Sequence, residues 1–236
     1  MTLLIKWFPP SWFQIKVDNI VIYIDPAYLR TYFLSYPKHI EYSKWPDEID
    51  GLPEELEKAD IILITHHHKD HFKLATIKRL QKTTTLIVAP KLCAKEIDSK
   101  IKVIEENEIF KIDSVEIKSV PAYNTKEGNS TNKVHHKGKG VGYILKYQSK
   151  SIYHSGDTDF IPEMKMFGNI DLAMLPIGGT YTMDIADAIK ATTAIKPRYV
   201  VPMHFLKADP NKFKRLLESK TKVIVKLLEI GGSFQL

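Results

Sequence analysis

Six consecutive residues, His66-His67-His68-Lys69-Asp70-His71, follow an apolar run, Ile61-Ile62-Leu63-Ile64, that ends at Thr65. A short apolar run bounded by polar residues reads as a buried strand. Four imidazoles and a carboxylate are therefore crowded where the chain leaves the core. In extended chain, residues two apart share a face, so His66 and His68 can close on one ion from the same side. A bend after them frees Asp70 and His71 to reach a second ion, and His67 and Lys69 point away by alternation. A helix would need such ligands three or four residues apart. The cluster thus demands a strand followed by a turn, with ligand types that suit zinc and also accept manganese or iron.

The rest of the chain supplies the setting. Residues Leu3–Phe8, Trp12–Val17 and Ile20–Ile24 read as strands, the last two joined by the turn signal Asp18-Asn19. A short helix is expected over Pro53–Ala59, then the strand Asp60–Thr65. Helix Leu74–Gln81, strand Thr84–Val88 and helix Lys91–Ile97 follow. Ile101–Ile104, Glu108–Ile112, Val115–Val120, Val141–Tyr147 and Ser151–His154 read as strands. Alternation then resumes with strand Leu172–Leu175, helix Met183–Ile195 after a Thr182 cap, strand Tyr199–Pro202, helix Pro210–Ser219 and strand Lys222–Leu228. Each half is a block of strands followed by strand-helix alternation, which predicts an α/β protein of two similar halves packed sheet on sheet. A chain of 236 residues is expected to form a single domain over 1–236. The tyrosine- and tryptophan-rich segment 27–51 has no clear period and reads as a lid or pocket wall, or as a flap packed on the core.

Composition narrows the chemistry. One cysteine, Cys93, excludes an intrachain disulfide and a cysteine-rich zinc cluster, leaving histidine and carboxylate as ligands. Cys93 itself reads as an inert thiol. The formal net charge of +6 comes from scattered lysines without an arginine-rich block, so a nucleic-acid partner is not expected. No run of about 18 apolar residues offers a membrane span, and 1–17 lacks the pattern of a secretory signal. A cytoplasmic location is expected. A small-molecule substrate is the expected partner, and a homo-oligomer is left open.

Two further strand ends carry ligand types. Ser155-Gly156-Asp157-Thr158 follows the strand ending at His154, and Pro202-Met203-His204 closes the strand from Tyr199. Carboxyl ends of strands are where α/β sites form. His154 reads as a packing residue. Gly178-Gly179-Thr180-Tyr181 offers backbone amides to an anionic group.

The order Thr65 to His71, then Ser155-Gly156-Asp157-Thr158, then Pro202-Met203-His204 resembles the metallo-β-lactamase superfamily. The segments Ile5 to Phe8, Ile24-Asp25-Pro26, Lys137 to Tyr143 and Gly178 to Tyr181 are further similar to the small hydrolases near the ascorbate-6-phosphate lactonases. The resemblance implies a four-layer αββα sandwich, grouped as α/β or in some schemes α+β. It implies that His66 and His68 bind a first metal, that Asp70, His71 and His204 bind a second, and that Asp157 bridges. Asp25 would fix a ligand histidine from behind, or cap the turn after its strand. The implied activity is a binuclear zinc hydrolase, with Mn2+ or Fe2+ as other occupants. It would use a metal-bound hydroxide on an ester, lactone or phosphodiester, with Asp70 orienting the nucleophile.

The chain departs from the pattern at two places. Val120-Pro121-Ala122-Tyr123-Asn124 stands where relatives carry another first-metal histidine. His135, or His136 beside it, is the replacement expected from the following loop, while Tyr123, Asn124, Gly179 and Thr180 are expected to face the substrate. Pro9-Pro10 stands where relatives often carry Gly-His. Other readings of the motifs are a nuclease, a di-iron redox protein, or a degenerate metal-binding relic.

Overall fold

The computed structural model describes residues 3–28 and 56–236. By contact density the chain divides into two units, Met1–Val103 with Leu228–Leu236, and Ile104–Leu227.

The first unit is built on a seven-stranded sheet ordered β14-β1-β2-β3-β4-β5-β6. Strands β1 (Leu3–Phe8), β2 (Trp12–Val17) and β3 (Ile20–Ile24) form an antiparallel meander. The tight β2–β3 link works because Asp18 adopts a φ of +50°, which a short polar side chain tolerates. From β3 the sheet turns parallel, through β4 (Ala59–Leu63), β5 (Gln81–Ala89) and β6 (Ile101–Val103). Parallel pairing brings the carboxyl ends of β3 and β4 to one edge, with Ile24 opposite Leu63 and Asp25 N donating to Leu63 O at 2.9 Å. Tyr23, Ile62, Ile64, Phe72, Ile77, Ile87 and Cys93 bury together beneath α1 (Leu74–Leu80) and α2 (Lys91–Ala94). Ala59 and Ile62 of β4, with Ile64 just beyond it, reach this core, and Ile61 and Leu63 are buried too, as a strand inside a parallel sheet requires.

The second unit has a seven-stranded sheet ordered β13-β12-β11-β10-β9-β8-β7. β7 (Ile109–Ile112), β8 (Val115–Pro121), β9 (Val141–Tyr147) and β10 (Lys150–His154) are antiparallel. β11 (Leu172–Pro176), β12 (Tyr199–Met203) and β13 (Ile224–Val225) extend the sheet in parallel. Helices α3 (Ile185–Ile195) and α4 (Pro210–Glu218) make the crossovers. Ala188, Ala191, Thr192 and Ile195 form the buried stripe of α3 at helical spacing. The ends of β10, β11 and β12 again share one edge, so Asp157 and His204 leave the sheet on the same side.

Several expected boundaries are corrected. α3 starts at Ile185 rather than Met183, and its cap is Asp184, whose side chain accepts from Asp187 N at 2.8 Å. Met183 lies outside the helix because its carbonyl, which a helical residue offers to the N–H four positions on, accepts from Gly179 N at 3.0 Å, while the Asp187 N–H goes to the Asp184 side chain. The expected helix over Pro53–Ala59 lies partly outside the described residues. Its described part is irregular up to β4, where the Glu57 carbonyl accepts from the Tyr23 hydroxyl at 2.9 Å. Only Ile224 and Val225 of the expected last strand pair in the sheet. An unexpected strand, β14 (Ser233–Gln235), covers the edge of β1. Of the aromatic segment, only Ala27 and Tyr28 are described, both buried. The expectation of a lid falls outside the described residues.

Candidate metal centre

In the first unit the ligand-type residues converge on a buried carboxylate. Asp25 follows β3 with a φ of +49°. This conformation is uncommon for any residue but glycine, and it turns the carboxylate toward Thr65 at the end of the neighbouring strand. Oδ1 accepts from Thr65 N at 2.7 Å, and Oδ2 accepts from Thr65 Oγ1 and from His71 Nδ1, each at 2.6 Å. The Thr65 hydroxyl has one proton, which goes to Asp25. Its oxygen therefore accepts from His66 Nδ1, 2.9 Å away. Both imidazoles are held as Nδ1–H tautomers whose Nε2 lone pairs face forward. Metal-ligating histidines are oriented by such partners.

His66 Nε2 lies 3.1 Å from His68 Nδ1. The edge of a tetrahedral zinc site with bonds of about 2.0–2.1 Å is roughly 3.3 Å. The two nitrogens are thus spaced to share one ion. Asp70 is half-buried on the turn that the His71 and Phe72 amides close onto the His68 carbonyl. Although Asp25, His66 and His71 lie close enough together to suggest an ion site, both Asp25 oxygens already serve Thr65 and His71, so the carboxylate stands behind the imidazoles. His67 is exposed, as alternation requires.

The second unit carries a matching set. Asp157 Oδ2 lies 3.4 Å from His135 Nε2 and 3.4 Å from His204 Nε2, all three side chains being buried. His204, with a φ of +48°, is another left-handed residue at a strand end. Its turn tolerates close neighbours only without side chains. A Cβ on Gly178 would sit 2.5 Å from His204 O, and one on Gly142 would sit 2.9 Å from both His154 O and Ser155 O. His154 packs inward, with Nδ1 accepting from Gly156 N at 3.1 Å.

His135 is held in place by the loop around it. Its Nδ1 donates to Tyr181 O at 3.0 Å, which leaves Nε2 as the lone-pair nitrogen. Its N–H donates to Asn124 Oδ1 and its carbonyl accepts from Asn124 N, both at 2.8 Å. The Asn124 amide nitrogen donates to Ser130 Oγ at 3.2 Å and to Tyr181 O at 2.9 Å. Asp159, fully buried, collects Thr125 N, Ser130 Oγ and Lys133 Nζ on Oδ2, and Gly128 packs against it too closely for any Cβ. Spacing assigns no role to Thr65, which opens the histidine motif, or to Asp159. Thr65 was hidden as a strand-end residue, and Asp159 could have been suspected only from its place two residues after Asp157.

The four residues expected on the substrate side also make contacts within their own unit. Asn124 braces the His135 loop. Gly179 N donates to Met183 O at 3.0 Å, and Thr180 O accepts from Asn132 N at 2.7 Å. The Tyr123 hydroxyl lies 3.0 and 3.1 Å from the two Glu163 oxygens, with Lys137 above its ring. Burial, and then Glu163, push the Tyr123 hydroxyl above its ordinary range. His136 is exposed. No helix among the described residues is long and apolar enough to cross a membrane.

Comparison with known proteins agrees with this architecture. A family model described as a beta-lactamase superfamily domain matches residues 4–204, an interval that opens in β1 and closes on His204. A UPF0173 metal-dependent hydrolase of Pyrococcus furiosus is 38% identical over 198 residues, 78% of this chain and 84% of the relative. A protein of the same name from Methanopyrus kandleri is 31% identical over 244 residues, 98% of this chain and 99% of the relative. The solved structure of a novel metallo hydrolase from the archaeon Ignicoccus hospitalis matches with a TM-score of 0.76 at 28% identity, covering 100% of this chain and 99% of that one.

Proposed function

The chain belongs to the beta-lactamase superfamily, among the UPF0173 metal-dependent hydrolases, and on that premise we propose that it hydrolyses an ester, lactone or phosphodiester with two zinc ions. Its α/β fold is that of the superfamily. The proposed ligands are His66, His68, Asp70, His71, His135, Asp157 and His204. In the family pattern three histidines hold the first ion. The chain lacks the usual third one near Tyr123-Asn124, and His135 takes that role in this proposal.

The observation that carries the reading is the back-anchoring of the imidazoles. Nδ1 of His71 is held by Asp25, Nδ1 of His66 by Thr65 and Nδ1 of His135 by Tyr181 O. In each case Nε2 is left as a donor to an ion, and the donor set of imidazole and carboxylate fits zinc. The same oxygen of Asp157 faces two imidazoles at equal distance, which suits a bridging carboxylate.

Bound divalent ions supply Lewis acidity, activating water and polarising the substrate's carbonyl or phosphoryl oxygen. The protein's part is positional. Asp25 and the Tyr181 carbonyl fix which ring nitrogen faces forward, and rigid strand ends hold the carboxylates. Asp70 orients the attacking water, accepts its proton on a carboxylate oxygen and returns it to the leaving oxygen. The substrate is a small molecule.

Hydrolysis of an aryl ester, a lactone and an aryl phosphodiester, measured before and after chelation, tests the proposal. Chelation should abolish activity, and zinc or manganese should restore it. His68→Ala and Asp157→Ala should each remove it. Full activity in both variants would overturn the assignment.

A further inference from the structure

The second unit carries a basic groove on the sheet edge opposite to the one that bears Asp157 and His204. It holds about 1010 Å3 and runs along the amino ends of β11 and β12. Lys165, Lys196, Arg198, Lys220 and Lys222 line it, all exposed, with Asp171 as its only carboxylate among the described residues. Asp171 is already engaged by Ser151 N at 2.9 Å and Lys150 Nζ at 3.6 Å. Among the described residues none of the five cations has a carboxylate partner within 4.0 Å. The whole chain has 34 basic residues against 28 acidic. Five against one is therefore a local excess, and an uncompensated one.

We propose that this groove binds the backbone of a single-stranded nucleic acid, without regard to sequence. The side-chain chemistry favours a polyanionic chain over a small anion. Thr192, Thr193 and Thr221 donate their hydroxyls to the carbonyls of Ala188, Ile189 and Leu217, at 2.7, 2.8 and 3.1 Å. They are committed to helix backbone and offer no preformed cradle. What remains is long cationic side chains drawn from three segments, which attract charge spaced along a strand. Among the described residues no aromatic ring lines the groove, so the bases are left unread. A concave surface also suits a chain better than a flat bilayer. The sequence hid this feature because the cations lie in three stretches spread over 58 positions, and only the crossovers of α3 and α4 bring them together.

The test is fluorescence anisotropy of a labelled 12-residue oligouridylate with the metal-loaded protein, from about 50 to 200 mM KCl. Log affinity should fall linearly with log salt, with a slope between roughly −2 and −3.5, at about 0.7 for each phosphate contact. Arg198→Glu with Lys222→Glu should weaken binding about tenfold or more and flatten the slope by about 1.4. Arg198→Gln with Lys222→Gln should weaken it less, in the same direction. Lys100→Glu with Lys212→Glu makes the same net charge change outside the groove and should leave binding within about twofold. Equal weakening by that control pair, or no binding by the wild type, would overturn the proposal. So would binding of phosphatidylserine vesicles through Arg198 and Lys222 with no binding of the oligomer.

Discussion

Asp25 Oδ2 and His71 Nδ1 lie 2.6 Å apart, both side chains fully buried, across 46 positions of sequence. Parallel pairing of β3 and β4 brings them together, and the left-handed backbone of Asp25 aims the carboxylate. Asparagine tolerates that backbone as well as aspartate does, so Asp25→Asn changes the hydrogen bonding without straining the chain. An amide cannot accept from both Thr65 Oγ1 and His71 Nδ1 on a nitrogen, and the histidine tautomer is released. Zinc affinity should fall about 10–100-fold, as measured by competition with a chromophoric chelator. Unchanged affinity would mean that Asp25 only caps its strand.

Gly178 tests the packing beneath His204. A Cβ there would sit 2.5 Å from His204 O, so Gly178→Ala must push the His204 turn aside. The expected cost is about 1–3 kcal/mol in urea denaturation of the metal-free protein. Gly138 is the contrasting position, since its Cβ would meet nothing within 4 Å. Gly138→Ala should cost only the left-handed backbone, about 1–2 kcal/mol, with no change in metal affinity.

Much of the fold was legible because the strands are apolar runs with sharp ends. β1, β2, β3 and β9 match the expected boundaries to the residue. Where the reading failed, a bond outside the helix had overridden a local signal, as at Met183, whose carbonyl answers to Gly179 N rather than to the helix. The three-residue β14 carries too little pattern to stand out and exists because β1 has an open edge. The cluster at His66 to His71 could be read from spacing alone. The grip of Asn124 on His135 was not legible, because it becomes visible only once the loop has closed.

Glu163 should shape the acid limb of stability. Burial pushes its carboxyl up, but the hydrogen bonds from Lys137 and Tyr123 outweigh it and hold the group below its ordinary range. A carboxyl lowered by folding contributes stability above its unfolded value, and that contribution is lost as pH falls through the folded value. Glu163→Gln should therefore have a lower urea midpoint than wild type at neutral pH. The difference should vanish once pH drops below the folded value. A difference that persists there would assign the effect to packing.

Cys93 should be inert in the folded protein. It is fully buried, and burial, followed by the charges of Asp25 and Glu96, pushes its thiol up to about 12. Labelling by an aromatic disulfide near pH 8 should proceed only as fast as the protein opens, and should accelerate with urea. Rapid labelling of native protein would contradict this burial.

The zinc content of the wild type beside His135→Ala tests the central claim most directly. Protein stripped by chelator, reloaded with zinc and passed through a desalting column should retain about two ions per chain. His135→Ala should retain about one, and His136→Ala should match the wild type. A wild type that holds no zinc, or a His135→Ala protein that holds as much as the wild type, would contradict the account.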